Sequence, residues 1–368
     1  MIERFKPTLL IIAVGVIARL LMMWVVDPAL NPLSGDSLYY VSGIFDGFRP
    51  PLYILFLKVA SPTTLWVPLA IQCAFSIGVA VVTYIELRKV WPALLIAACP
   101  FLIVFDFRLL AESIYVNLLW LGWLALRRGN GVYAGLLIGL AILARDTLLM
   151  LPLFTLLFTR SRAALKMMAV AYLIALPWFL IAATPGRMAL NLWIGTWERD
   201  GEWMAAGFAD PKLPSYAFTS PVERQAVGPK LEHVTMHTVM NHVRAQPASV
   251  AKAWAVRYPT LWLSTRADLI DLRAVRQSLL WTAEKMALYL LNVVMLALGV
   301  CGLLYVERIF LPPVAYAALA HIPFHAEARF TLFAVPFLIV AAISVLKRVW
   351  ESTISPNTSA QGGLALRP

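Results

Sequence analysis

Five charged side chains, far apart in the sequence, are the strongest candidates for chemistry in an otherwise apolar chain. Asp36 and Glu112 supply carboxylates, and Arg49, Arg145 and Arg329 supply guanidinium groups. A carboxylate held against a hydroxyl group acts as a general base, which is worth roughly 10² to 10⁴ in rate. Guanidinium groups stabilise the negative charge that develops on a departing phosphate oxygen. Brought together by the fold, these residues would remove a proton while a phosphate leaves.

Each carboxylate also has a plain structural interpretation. Glu112 begins an apolar stretch, where an acid at a helix N-terminus gains from the helix dipole. Asp36 stands in the tyrosine-rich stretch 35–53, where a cap or loop position would explain it equally well. The sequence leaves both interpretations open beside the catalytic one.

The composition is that of a membrane protein. Of the 368 residues, 61% are hydrophobic and 14% are charged, and the mean hydropathy is +0.75. A bilayer requires about 20 apolar residues per helical crossing, and long apolar runs without strict alternation favour helices. The net charge of +11 does not indicate nucleic-acid binding, because the basic residues stand in small groups at the ends of apolar runs. We therefore predict an all-α polytopic membrane protein.

The apolar runs predict ten transmembrane helices, with interfacial helices in the first outer loop and both termini in the cytoplasm. The predicted spans are residues 9–26, 65–85, 91–105, 110–126, 132–144, 148–158, 165–183, 286–305, 309–322 and 332–346. The predicted domains are an N-terminal module (1–183) with a catalytic first outer loop (27–53), a large outer loop domain (184–276), C-terminal helices (277–350) and a disordered cytoplasmic tail (351–368). Within the outer loop domain, residues 233–244 and 247–263 are predicted to be helical.

Two further groups of polar residues allow more than one interpretation. Arg19 lies inside the first span, where it either pairs with a neighbouring helix or contacts a ligand phosphate. His233 and His237, like His321 and His325, have the i, i+4 spacing that presents two imidazoles to one zinc ion. Neither pair has a clear third ligand, so we predict no metal site there.

Several short motifs occur in an order that resembles a known family. They are GDSLY at 35–39, RPPLY at 49–53, LAE at 110–112, GLAILAR at 139–145 and HAEAR at 325–329. Together they resemble the integral membrane glycosyltransferases of the GT-C superfamily, such as protein O-mannosyltransferases and lipid A aminoarabinose transferases. The resemblance extends over about residues 10–346.

The resemblance implies a function. It implies the inverting transfer of a sugar from a polyprenyl-phosphate donor to a hydroxyl group of a lipid, glycan or protein acceptor, at the outer face of a bacterial inner membrane. Asp36 would be the general base and Glu112 a second acid. The donor phosphate would be bound by Arg49, Arg145, Arg329 and His325. The cofactor requirement stays open: a divalent metal ion fits the chemistry, and no organic cofactor is expected.

The expected sugar or acceptor contacts are Tyr39, Tyr53, Asp106 and Trp197. Trp197 lies in the segment 191–203, which interleaves aromatic and acidic residues. Such a segment suits stacking on sugar rings, and it suits anchoring at the membrane interface equally well.

One position departs from the family pattern, and two other functions compete. Ser37 follows Asp36 where many relatives have Asp-Glu. A transporter or lipid flippase would require ionisable residues near the middle of the bilayer and two repeated halves. Arg19 is the clear ionisable residue within a predicted span, and no repeat is evident. A non-catalytic assembly subunit would not need the two carboxylates.

Overall fold

The computed structural model describes residues 2–26, 36–43, 49–61, 64–181, 192–193, 196, 235–263, 279–323 and 328–354. Of these residues 88% are helical, and no strand occurs among them. The predicted all-α fold class is confirmed over the described part of the chain.

The helices of the N-terminal half are mostly short and follow each other closely. They are α1 (Ile2–Val26), α2 (Asp36–Ser42), α3 (Pro51–Ala60), α4 (Trp66–Leu87), α5 (Val90–Ala98), α6 (Pro100–Asp106), α7 (Glu112–Arg127), α8 (Gly131–Ala144), α9 (Leu151–Thr159) and α10 (Arg162–Ile181). A 3₁₀ helix over Asp146–Leu148 lies between α8 and α9.

The C-terminal half contributes a second set. It comprises α11 (Met236–Ala245), α12 (Pro247–Leu263), α13 (Leu279–Tyr305), α14 (Leu311–Ala320) and α15 (Val335–Ile354), with 3₁₀ helices over Arg308–Phe310 and Ala328–Ala334. The helices predicted within the outer loop domain are observed as α11 and α12. Since α15 extends to Ile354, the first four residues of the predicted tail are helical.

In the described part of the chain, five helices are long and apolar enough to cross a membrane. They are Phe5–Trp24, Trp66–Leu87, Arg162–Ile181, Met286–Tyr305 and Thr331–Ile354. The other predicted spans coincide with shorter helices, and the span predicted at 91–105 is divided into α5 and α6. The division falls at Pro100, which begins α6 and whose ring disfavours continuation of the preceding helix. The count of ten crossings stays a prediction.

Glycine residues bring α8 and α10 into close contact. A Cβ atom on Gly135 would lie 2.6 Å from the Met167 carbonyl oxygen, and one on Gly139 would lie 3.0 Å from that of Ala171. Together with Gly131 these residues form a Gly-xxx-Gly-xxx-Gly stripe, which allows two helix backbones to approach closely. Tight packing of α8 against α10 fixes the end of α8, where Arg145 follows.

Aromatic side chains fill the centre between α7 and α15. Trp120 and Trp123 both pack edge-on against Phe337, with ring centroids 4.9 and 5.7 Å apart. Both indole nitrogens are hydrogen-bonded, that of Trp120 to the Thr83 hydroxyl oxygen and that of Trp123 to the Ile309 carbonyl oxygen. This core holds the two halves of the described chain together.

The charged residues at the two ends of the helices have different partners. At one end, Lys89 Nζ lies 3.2 Å from Glu307 Oε1, and Arg128 forms an ion pair with Glu86. The opposite end gathers the start of α7, the end of α8 and the end of α14. The second end brings predicted site residues together.

Candidate functional site

A buried carboxylate and a buried guanidinium meet at this second end. Glu112 is the first residue of α7 and is completely buried, while Arg145 directly follows α8 and is 4% exposed. Arg145 Nη1 lies 3.7 Å from Glu112 Oε1, which is an ion-pair distance longer than a hydrogen bond. Two residues that the sequence predicted as partners in one site are therefore in contact.

His321 adds an imidazole to this pair. It directly follows α14, is 3% exposed, and lies within electrostatic reach of Arg145. The sequence placed His321 in a histidine pair with His325 and did not assign it to the site. Like Glu112 and Arg145, His321 lies next to the end of a helix. That shared position could have identified His321 as a site residue from the sequence.

Two tyrosines and an arginine from the predicted first outer loop form a contact chain that reaches Glu112. Tyr53 on α3 is fully buried and within electrostatic reach of Glu112. The ring of Tyr40 on α2 packs edge-on against that of Tyr53, with centroids 4.9 Å apart at 81°. The guanidinium carbon of Arg49 lies 6.0 Å from the centre of the Tyr40 ring, which is within cation–π range. Tyr53 thus connects the loop residues to the Glu112–Arg145 pair.

Gln72 on α4 connects Tyr53 to the backbone just before α7. The Tyr53 hydroxyl donates to Gln72 Oε1 at 2.7 Å. Gln72 Nε2 lies 3.1 and 3.0 Å from the carbonyl oxygens of Asp106 and Arg108, just before the start of α7. Gln72 was not among the site residues predicted from the sequence. A single amide side chain within an apolar span nevertheless indicates a buried hydrogen-bonding role.

A second buried ion pair lies between α1 and α6. Arg19 Nε and Nη2 donate to Asp106 Oδ2 at 3.0 and 2.7 Å. The Ser76 and Ser113 hydroxyls donate to the other oxygen of Asp106. Of the two interpretations of Arg19, pairing with a neighbouring helix is the one observed. The predicted contact of Asp106 with a sugar or acceptor stays a prediction, and the observed partners of its carboxylate are Arg19, Ser76 and Ser113.

An apolar groove runs along α3 and α4 next to the tyrosines. It has a volume of about 550 Å³. Its walls include Leu52, Leu55, Phe56 and Val59 from α3 and Val67 and Ile71 from α4. The Phe56 ring in its wall packs against that of Tyr53, with centroids 5.6 Å apart, so the groove borders Tyr53.

The remaining predicted residues are only partly described. Asp36 begins α2 and Tyr39 lies within it, and Arg329 lies in the 3₁₀ helix Ala328–Ala334, but the side chains of these three residues are outside the description. His325 and Trp197 lie outside the described residues. Their predicted roles stay predictions.

The described residues contain no cluster of three or more His, Cys, Asp and Glu side chains suited to a metal ion. His237, one of the paired histidines, is exposed and lies 2.9 Å from the Asn241 side-chain amide. On the same helix, burial lowers the pKa of the His242 imidazole, whose ring packs edge-on against that of Trp193.

No protein-family model, curated protein sequence or solved structure matches this chain. The resemblance to membrane glycosyltransferases therefore stays a prediction. What the site can do has to be argued from its own geometry.

That geometry suits an amphiphilic ligand with an anionic head group. Arg49 and Arg145 provide positive charge, and Glu112 provides a carboxylate. The groove has the apolar lining that a hydrocarbon chain requires. An apolar groove and cationic side chains, both in contact with the same pair of tyrosines or their neighbours, suit a lipid phosphate.

Proposed function

We propose that this protein is an inverting glycosyltransferase that moves a sugar from a polyprenyl phosphate to an acceptor hydroxyl group at the extracytoplasmic face of the membrane. The observation that carries the proposal is the buried Glu112–Arg145 pair, which Tyr53 links to Phe56 in the wall of the α3–α4 groove. The groove would take the first part of the prenyl chain, and Arg49 and Arg145 would bind the phosphate. Arg329 and His325 are further candidates for that phosphate.

In the proposed reaction, the Asp36 carboxylate removes the proton of the acceptor hydroxyl group. The acceptor oxygen then attacks the anomeric carbon of the sugar from the side opposite the phosphate. The bond between this carbon and the phosphate oxygen breaks, and polyprenyl phosphate departs with the electron pair. Cationic side chains offset the charge on the leaving oxygen.

Glu112 has a supporting role in this scheme. Its carboxylate lies in a site that also contains Tyr53 and Arg145, so it is placed to hold the acceptor or to orient the base. Arg145 places a positive charge 3.7 Å from this carboxylate. Both side chains are buried, and burial strengthens their electrostatic effect on the reacting atoms.

The Asp36→Asn variant tests the assignment of the base. We expect it to abolish transfer while expression and donor binding stay close to wild type, because the amide keeps the size of the carboxylate and loses its basicity. Mass analysis of envelope glycans and lipids from cells with the wild-type or the variant protein gives the readout. Wild-type levels of product from the variant would remove Asp36 from this role.

A lipid flippase or transporter is the second candidate. The observation that favours it is the Arg19–Asp106 pair, an ionisable pair enclosed among apolar helices. Such a protein would move a fluorescent lipid phosphate across a reconstituted bilayer without changing its covalent structure. Lipid movement without sugar transfer would favour this function over glycosyl transfer.

A further inference from the structure

Two buried hydroxyl groups on α2 have no hydrogen-bond partner within the described part of the chain. Ser37 is 0% exposed and Tyr40 is 1% exposed, and neither Oγ of Ser37 nor the phenolic oxygen of Tyr40 is within hydrogen-bond distance of another group. The two residues are three positions apart and therefore share one face of the helix. Buried polar groups are hydrogen-bonded in the great majority of cases, so such a pair calls for an explanation.

Two described neighbours of Tyr40, namely Tyr53 and Arg49, indicate which ligand could bond these hydroxyl groups. The Tyr53 ring forms a wall against Tyr40, and its own hydroxyl group is already bonded to Gln72. Arg49 stands over the face of the Tyr40 ring. The pair therefore borders Tyr53 and Arg49, and among the described residues its hydroxyl groups have no hydrogen-bond partner.

We infer that Ser37 and Tyr40 bind the hydroxyl groups of the sugar carried by the lipid donor. Serine and tyrosine hydroxyl groups both donate and accept, as sugar hydroxyl groups do. A phosphate group accepts only, and the nearby Arg49 is a better partner for it. The inference rests on the proposed function and adds a site for the sugar itself.

The inference also changes the residues expected to contact the sugar. Tyr39 and Tyr53 were the tyrosines expected from the sequence, yet the Tyr53 hydroxyl is occupied by Gln72. Ser37 stands where many members of the resembled family have glutamate. A short neutral side chain at this position leaves room for a sugar hydroxyl group and adds no charge.

The test measures two affinities for each protein. Full-length protein in lipid nanodiscs is titrated with bare polyprenyl phosphate and with polyprenyl phosphate carrying a hexose or an aminopentose. We expect Ser37→Ala and Tyr40→Phe each to weaken binding of a sugar-bearing lipid by about three- to tenfold, the effect of one lost hydrogen bond. Affinity for the bare lipid should stay at the wild-type value. Thermal stability of both variants without ligand should equal or exceed that of wild type, because each loses a buried hydroxyl group that has no partner.

Tyr133→Phe is the matched control, because Tyr133 is exposed at the far end of α8 from Arg145. It should change neither affinity. Equal loss of both affinities in the α2 variants would overturn the inference in favour of phosphate binding, and no loss of either would overturn it outright. A wild-type protein that binds no sugar-bearing lipid more tightly than the bare one would contradict the proposed function itself, and so the two failures are distinguishable.

Discussion

The two buried ion pairs have the same chemical groups but different geometry. In the Arg19–Asp106 pair, two guanidinium nitrogens bind one carboxylate oxygen and two serine hydroxyls bind the other. In the Arg145–Glu112 pair, the nearest atoms are 3.7 Å apart and beyond hydrogen-bond distance. A carboxylate that accepts hydrogen bonds from three side chains fits a structural role. For the Arg145–Glu112 pair we propose a role in the site.

The largest effect is expected from breaking the first pair. Asp106→Asn leaves the Arg19 charge buried without its counter-ion, and removal of one partner of a buried pair costs about 3–5 kcal/mol. Unfolding of the purified protein in detergent would measure this loss. The double variant Arg19→Met/Asp106→Asn should regain a large part of it. Lys347→Ala is a control, since its exposed pair with Glu351 should contribute less than about 0.5 kcal/mol.

Asp106→Asn unfolding at the wild-type midpoint would contradict the structural assignment of the first pair. The same result would revive the expectation that Asp106 contacts a sugar or acceptor.

The second pair should respond in activity rather than in stability. Glu112→Gln keeps the size of the side chain and breaks a 3.7 Å pair rather than short charge-assisted hydrogen bonds, so we expect a smaller loss in unfolding free energy than for Asp106→Asn. Sugar transfer should fall about 10²- to 10⁴-fold, the range for loss of a positioned acid or base. Parallel unfolding and turnover measurements on one preparation would separate the two effects. A loss of stability as large as that of Asp106→Asn, with activity per folded molecule unchanged, would make Glu112 structural too.

A smaller effect is expected at the residue that connects the two regions. Gln72 bonds Tyr53 on one side and the carbonyl groups between α6 and α7 on the other. Gln72→Leu should lower stability by about 1–3 kcal/mol, because it leaves the buried Tyr53 hydroxyl group and these carbonyls without partners. If Gln72 also positions Glu112, kcat should fall while KM for the lipid donor stays constant. Changes in kcat and KM by the same factor would contradict a positioning role.

The fold was predictable where the hydrophobic pattern is long and simple. Five of the predicted spans coincide with helices of membrane-crossing length, because length and hydropathy are local properties of the sequence. The shorter helices around α5 and α6 were not anticipated, since a proline between two apolar runs permits either a kink or a break. The side of the membrane that each loop faces still depends on the distribution of positive charge.

The site was predictable in its charged members and not in its neutral ones. Glu112 and Arg145 were conspicuous as charges next to apolar runs, and the structure places them in contact. Ser37, Tyr40 and Gln72 carry no charge, and their importance depends on burial and hydrogen bonding across distant segments. No local pattern reports which hydroxyl group has a partner and which has none.

Product analysis of the purified wild-type protein is the decisive test of whether the protein transfers a sugar. The protein in nanodiscs is supplied with polyprenyl-phosphate sugars and envelope lipid or glycan acceptors, and the products are identified by mass spectrometry and NMR. We expect glycosylated acceptor with inverted anomeric configuration and an equal amount of bare polyprenyl phosphate. Intact sugar-bearing lipid recovered from the other leaflet, with no new glycosidic bond on any acceptor, would contradict this expectation.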